Sequence, residues 1–511
     1  MTDPFLLRPG ELTLGDLRRL DDPGLAVVLD EGCLAALAAA HDAITRALAE
    51  ERRIYGVNTG FGSLADTLIP EHEMRELQRR LVLSNAVGSG PLLPDRVVRR
   101  IVVLKANALA RGHSGVRPRL VEALLELANA GLQPCIPGKG SVGASGDLAP
   151  LAHLAAALIG VGEMRVEGAV MPAAEALAGA GLEPLELGPK EGLSMVNGTE
   201  ASTALALEGL FALEAVFAAA LVAGALSVEA ALGSEIAFAA RIHEIRGQAG
   251  EIEVAAVLRR LLEGSELRLR AREKGRLQDP YSLRCQPQVM GACLDSLRFA
   301  ADVLLREANA VGDNPVVFGD DGEILYGGNF HGAPVAMAAD LLALVIAQVC
   351  GLAERRVALL TDANMSGLPP FLVEGGGLNS GFMAAQIAAA ALTSETKALA
   401  HPGGTDSIPT VANFEDYVSM ATYASRRLSE MAENAATVVA IELMAAAQGF
   451  GFHRPLTTSP ALEAALEALA ARVPRFTEDR FMAPEIEAIK ELVRSGHFLS
   501  YLPPLLLPSA A

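Results

Sequence analysis

The stretch Gly140-Ser-Val-Gly-Ala-Ser-Gly-Asp-Leu-Ala-Pro-Leu-Ala-His153 contains the tripeptide Ala144-Ser145-Gly146. Three such residues can close into a ring. The Gly146 nitrogen attacks the Ala144 carbonyl carbon, and two waters leave, one carrying the Ser145 oxygen. The product is a 4-methylidene-imidazol-5-one (MIO) with an exposed electrophilic methylene. Gly146 has no Cβ, so its nitrogen can approach the carbonyl in a strained turn. Ser145 supplies the hydroxyl that is lost, and Ala144 is too small to block closure. Ordinary side chains are nucleophiles, so a chain that needs an electrophile must bind one or build one. Two plainer readings compete. Ser-Gly-Asp before a hydrophobic run is an ordinary helix N-cap. Gly140, Gly143 and Gly146 can also cradle a phosphate at a helix N-terminus. The phosphate reading lacks an upstream strand and a Gly-Lys-Ser/Thr ending.

The 511 residues suit several domains or one large helical unit. Hydrophobic residues make up 51% and aromatics only 4%, with no Trp, so the core is expected to be Ala, Leu and Val. A net charge of −19 argues against nucleic acid as a partner and favours solubility. The five cysteines (Cys33, Cys135, Cys285, Cys293, Cys350) form no Cys-x-x-Cys pair. That pattern fits buried thiols in a reducing cytosol better than disulfides or a zinc site. His72-Glu73 is not followed by a second His at helical spacing, and no metal or nucleotide is expected. The N-terminus shows no signal-peptide pattern. The uncharged runs Ala215 to Val228 and Leu341 to Ala353 read as buried core helices, too short to span a bilayer.

Residues 1–200 are richer in Gly and Pro and read as an N-terminal domain carrying the ring-forming loop. Helices are expected there over 32–50, 72–86, 94–112 and 116–130. Another should start near Asp147, with Pro150 tolerated in its first turn. Residues 161–195 read as small β or irregular pieces. Residues 201–511 read as a central helical bundle with C-terminal helices. Its long patterns cover 200–232, 250–262, 285–311, 333–363, 380–398 and 415–448, with shorter ones near 459–471 and 483–495. The fold class is therefore mainly α, a large antiparallel bundle. Several helices are apolar on most faces, which one chain can hardly cover, so a homo-oligomer is expected.

Further segments add to the tripeptide. They are Tyr55-Gly-Val-Asn-Thr-Gly-Phe-Gly62, Asn197-Gly-Thr199, Gln278-Asp-Pro-Tyr-Ser-Leu-Arg-Cys-Gln-Pro-Gln288 and Gly328-Asn-Phe-His-Gly332. Asn379-Ser-Gly-Phe-Met383 and Ser394-Glu-Thr-Lys-Ala-Leu-Ala-His-Pro402 complete the series. In this order, spanning about residues 55 to 420, they resemble the histidine branch of the aromatic amino acid lyases. The resemblance implies an L-aspartase/fumarase-like bundle, an MIO formed from Ala144-Ser145-Gly146, and a cytoplasmic homotetramer with active sites shared between subunits. It also implies a carbon–nitrogen lyase that eliminates ammonia from L-histidine to give trans-urocanate.

That reaction has two difficulties, a poor amine leaving group and a weakly acidic β-hydrogen. The ring's electrophile answers the first, and backbone N–H groups should stabilise charge on its oxygen. A positioned base answers the second. Tyr55 is the expected base, in a Gly-rich loop that reads as a mobile lid. A free Tyr titrates at about 10, so its neighbours must tune it downward. Alone it would read as a buried Tyr with a satisfied hydroxyl. Arg284 has the guanidinium fork that matches a carboxylate. Gln278, Tyr281 and Arg284 are spaced by three, and Pro280 would start a helix carrying the last two on one side. Asn197 lies in a sequence that alone passes for a turn; the resemblance sets it to hydrogen-bond the ring oxygen or the amine. Phe330 alone reads as core, and by resemblance packs beside the ring. Glu415 alone reads equally as a solvated helix charge; by resemblance it meets an imidazole or moves a proton. The expected catalytic set is Tyr55, Ala144, Ser145, Gly146, Asn197, Tyr281 and Glu415. The expected substrate-binding set is Ser84, Asn85, Gln278, Arg284 and Phe330.

The chain departs from the family pattern at Ser84-Asn85, where the histidine branch usually carries Ser-His. Asn85 can hydrogen-bond an imidazole but cannot titrate. Ala333, Phe414 and Tyr417 stand where Glu, Gln and His are usual. The polar Ser84 and Asn85 argue against phenylalanine as substrate. Two other outcomes share these residues: a lyase or 2,3-aminomutase acting on another amino acid, and a catalytically silent scaffold. The intact Ala144-Ser145-Gly146, Tyr55 and Arg284 argue against the scaffold.

Overall fold

The computed structural model describes residues 3–62, 65–273 and 277–510. It is mainly α-helical, with short two- and three-stranded sheets, as the sequence led us to expect. The chain forms two compact units, each assembled from separated stretches. One comprises Met1–Glu208, Ala301–Asp340 and Pro402–Arg426. The other comprises Gly209–Ala300, Leu341–His401 and Arg427–Ala511.

In the first unit the helices Leu34–Ala49, Met74–Asn85, Asp95–Ala110, Pro118–Asn129 and Leu148–Leu158 fall within a few residues of the expected ranges. Pro118 stands at the first helical position, where a missing N–H costs nothing. The Asp95–Ala110 helix is buried over almost its whole length, including Arg99, Arg100, Lys105 and Asn107. Its polar side chains serve surrounding backbone: Arg99 donates to the carbonyls of Leu20, Leu25 and Ala128. Asn107 accepts from the Gly10 amide at 3.0 Å and donates to the Ala308 carbonyl at 2.9 Å. Within residues 161–195, Glu163–Val166 and Ala169–Pro172 pair antiparallel through a tight turn at Glu167-Gly168. The short helices Ala173–Gly179 and Glu191–Val196 were not anticipated, being too brief to show a period.

The second unit is almost wholly helical. It contains most or all of Glu200–Ala230, Gln286–Ala308, Ala333–Thr361, Met383–Leu399 and Ala421–Gly451. Close approach needs glycine at one crossing, where a Cβ on Gly250 would lie 2.3 Å from the Gly291 carbonyl oxygen. Three long helices meet at a buried cluster. Arg356 holds Glu442 in two bonds of 2.5 and 2.8 Å, and Ser227 donates to the same carboxylate at 2.7 Å.

The helix expected over 415–448 begins instead at Ala421. Met420 has φ +57°, and Thr410 and Glu415 exchange backbone hydrogen bonds, so residues 410–420 are a loop. Glu415 is therefore a loop residue and not a helix charge. The helices Glu200–Ala230 and Ala333–Thr361 are long and apolar enough to cross a membrane, contrary to the sequence estimate of shorter runs. The most apolar window of the first is 94% buried within the protein, and that of the second 56%.

Glu442→Gln leaves the Arg356 guanidinium, with no exposed surface, without its counter-charge. A loss of about 3 kcal/mol is expected, read as a lower thermal midpoint. Asp302→Ala at the exposed Arg306 pair is expected to cost under about 1 kcal/mol.

Candidate active site

A cavity of about 530 Å³ lies in the first unit. Its wall includes Tyr55, Asn85, Ala144, Ser145, Asn197, Phe330 and Glu415. Seven of the twelve residues singled out in the sequence thus line one space, although they are spread over some 360 residues of chain.

The ring-forming tripeptide sits in a loop without regular structure, ahead of the Leu148–Leu158 helix. Gly146 has φ +77°, and a Cβ there would lie 1.9 Å from the Gly198 carbonyl oxygen. Only glycine fits this position. That same carbonyl accepts the Asp147 amide at 2.7 Å, which locks the loop to the Asn197-Gly198 turn. On the other side the Ser419 hydroxyl donates to the Gly143 carbonyl at 3.0 Å, and the Met420 amide to the Val142 carbonyl at 2.8 Å. Ser145 is half-buried, and its hydroxyl donates to Glu415 Oε1 at 3.1 Å. Thr410 donates to Glu415 Oε2 at 2.7 Å, so both carboxylate oxygens are held. A tight glycine nitrogen, a small Ala144 and a hydroxyl engaged by a carboxylate fit the requirements of an MIO.

Tyr55 lies in a buried loop that departs from the lid reading. Val57 and Ile54 pack with Ile44, Val317 and neighbouring apolar residues. Gln78 bridges the loop to the Glu191–Val196 helix, donating to the Gly56 carbonyl at 2.8 Å and accepting from the Leu193 amide at 3.0 Å. The Gly62 amide donates to the Tyr55 hydroxyl oxygen at 3.0 Å, and the Tyr55 ring stands edge-on to Phe61.

Asn85 lines the cavity from the end of its helix, with Nδ2 donating to the Leu81 carbonyl at 2.8 Å. Ser84 does not line it; Ser84 is exposed, and its hydroxyl turns back onto the same carbonyl. Gly146 does not line it either. Gln278, Tyr281 and Arg284 belong to the second unit and line no part of this cavity. The helix expected after Pro280 is there as the single turn Tyr281–Arg284, with Arg284 over the Tyr281 ring at 4.7 Å. Gln278 and Tyr281 are exposed.

The sequence reading missed several lining residues, among them Phe61, Asn314, Tyr326, His331 and Asp416. His331 stood next to Phe330 in a quoted motif. Its Nδ1 accepts the Ala333 amide and its Nε2 meets the Tyr417 carbonyl at 3.1 Å, so the proton sits on Nε2. Asp147 was read as a possible N-cap but makes no cap bond. Its carboxylate instead accepts from the Ser202 amide at 2.6 Å, the Ser202 hydroxyl at 2.9 Å and the Thr422 hydroxyl at 2.7 Å.

Burial pushes the Asp147 carboxyl up to about 6, against the pull of its three donors. The folded chain therefore takes up this proton at higher pH than the unfolded chain does. Across that window the folded state holds the extra proton, and stability falls as pH rises. The parent's stability advantage over Asp147→Asn is expected to be larger at about pH 4.5 than at about pH 7.5 by thermal melting. An advantage that grows with pH would show the opposite shift. Gly146→Ala is expected to keep the full calculated mass, because its Cβ would collide with the Gly198 carbonyl and hold the loop apart.

Comparison with known proteins agrees with this geometry. The aromatic amino acid lyase family pattern matches residues 12–471. The chain is 57% identical to a histidine ammonia-lyase of Aromatoleum aromaticum over 97% of this chain and 94% of that protein. It is 53% identical to one of Desulfotalea psychrophila over 100% and 99%. Among solved structures, histidine ammonia-lyase from Trypanosoma cruzi superposes with a TM-score of 0.91 at 36% identity, covering 98% of this chain and 96% of that one. Tyrosine aminomutase from Streptomyces globisporus gives 0.91 at 37% identity, covering 98% of each. The chain belongs to the aromatic amino acid lyase family.

Proposed function

We propose that this protein is a histidine ammonia-lyase, converting L-histidine to trans-urocanate and ammonia at an MIO formed from Ala144-Ser145-Gly146. The observation that carries it is the Ser145 hydroxyl held on Glu415 beside a Gly146 that no other residue can replace. The near-full-length likeness to histidine ammonia-lyases supports the substrate. The ring supplies an electrophile for the amine nitrogen, which makes that nitrogen a better leaving group. The rest falls to the chain's own side chains. Tyr55 takes the β-proton; the Gly62 amide fixes the position of its oxygen. Phe330 packs at the cavity wall, and Asn85 and Glu415 offer oxygen acceptors to an imidazole N–H.

The carboxylate-binding group comes from the Gln278 to Arg284 segment of another subunit of a homotetramer. The exposure of Gln278 and Tyr281 supports this, as do apolar side chains such as Met337, Leu344 and Ile387 that a single chain leaves uncovered. Tyr281 and Gln278 reach the substrate with Arg284. All five cysteines stand as thiols, in keeping with a reducing cytoplasm.

Incubation with L-histidine, following urocanate absorbance and free ammonia, tests the reading. Equal amounts of both are expected, with none from Ser145→Ala, whose intact mass should equal its own full calculated mass while the parent falls short of its own by two waters. Urocanate-free turnover, or a parent at its full calculated mass, would overturn it. Arg284→Ala is expected to raise KM at least tenfold while the mass loss is kept.

A further inference from the structure

Two buried ion pairs converge on Asn197, and neither touches the cavity. Lys105 Nζ donates to the Asn197 backbone carbonyl and pairs with Glu200 Oε1 at 2.9 Å. Lys190 Nζ pairs with Asp313 Oδ2 at 2.7 Å and reaches the Ser194 hydroxyl at 3.0 Å. Lys190 has no exposed surface and adopts φ +69°, a left-handed backbone that a lysine rarely takes. Burying a charge and straining its backbone at one residue is costly, and neither is explained by stability. Desolvation works to raise the Asp313 carboxyl, but the Lys190 ammonium, the Ser194 hydroxyl and Lys105 together hold the group below the ordinary range.

An ionised carboxylate only accepts hydrogen bonds. Asn197 Nδ2 lies 3.0 Å from the Asn314 carbonyl and 3.5 Å from Asp313 Oδ1. The second distance is long for a bond, but an amide oxygen placed there would face two acceptors and be repelled. The amide can therefore sit only one way round. Its Nδ2 faces Asp313 and Asn314, and its Oδ1 has no partner among the described residues while Asn197 lines the cavity.

Resting on the reading above, we infer that Lys190 and Asp313 are positioning residues that fix the Asn197 amide so that it presents its oxygen to the substrate. Asn197 then accepts a hydrogen bond from the substrate's α-amino group. It cannot donate to an acceptor such as the ring oxygen, so of the two roles open in the sequence only the amine contact remains.

The test is made in a Ser145→Ala background, where no turnover occurs, by calorimetric titration with L-histidine and with 3-(imidazol-4-yl)propanoate, the same molecule without its amine. Lys190→Met combined with Asp313→Leu removes both charges and the Asp313 acceptor, leaving only the Asn314 carbonyl at Nδ2. The expected result is about tenfold weaker binding of L-histidine with the amine-free acid unchanged. Lys190→Met with Asp313→Asn restores an acceptor oxygen without charge and is expected to recover the preference for the amino acid. Unchanged L-histidine affinity, equal weakening of both ligands, or no recovery with the Asp313→Asn pair would overturn the inference. If the Ser145→Ala protein binds neither ligand, kcat/KM of the ring-forming enzyme decides. A fall of about tenfold with the two-water mass loss intact supports the inference. An unchanged value, or a chain left at full mass, overturns it. A parent that neither binds nor turns over L-histidine fails the proposed function instead.

Discussion

The contact between Gly146 and the Gly198 carbonyl is the constraint on which the site depends. Two loops from distant parts of the chain run so close that neither side has room for a side chain at Gly146. Their backbones pair as an isolated parallel bridge, and the Asp147 amide closes it onto the same carbonyl. Everything that surrounds the contact works to hold it. The Asp147 carboxylate fastens to Ser202 and Thr422, and Lys105 fastens the carbonyl one residue before Gly198. A strained approach persists only when its surroundings over-determine it.

That requirement explains an unusual core. The first unit buries Arg99, Arg100, Lys105 and Lys190 almost completely. Loops that lack helical or sheet partners still carry backbone groups that must be satisfied. Long cationic side chains reaching out of the Asp95–Ala110 helix supply missing donors: Arg99 to three carbonyls and Lys105 to Asn197. The second unit buries charge as well, with Arg356 on Glu442 between long helices and Arg268 on Glu229 and the Gly233 carbonyl.

The same distinction marks what was legible in the sequence. Long helices were placed to within a few residues because apolar periodicity over many turns is a summed signal. The ring tripeptide was legible because its chemistry is local. Glu415 was assigned to a helix because nothing in Asn413-Phe-Glu-Asp-Tyr marks the positive φ values at Val411, Ala412 and Asn413 that turn the loop. Lys190 and Asp313 stand 123 residues apart, so no spacing could pair them. Ser84 was expected beside Asn85 in the pocket, yet neighbours on a helix point about 100° apart, and only Asn85 faces inward.

Orientation of amides links this geometry to the choice of substrate. Asn85 commits its Nδ2 to the Leu81 carbonyl, which leaves its oxygen for the cavity. Glu415 offers only acceptor oxygens, one of them already near Ser145. A side chain that presents an N–H to this wall gives the Asn85 oxygen a partner that a phenyl ring cannot, and a polar group left without its partner discriminates more strongly than a change in size. On the proposed function, Asn85 in place of the family's usual His keeps an acceptor for an imidazole N–H. It moves the recognition from a group whose hydrogen-bonding changes with pH to one whose direction is fixed by the helix that carries it.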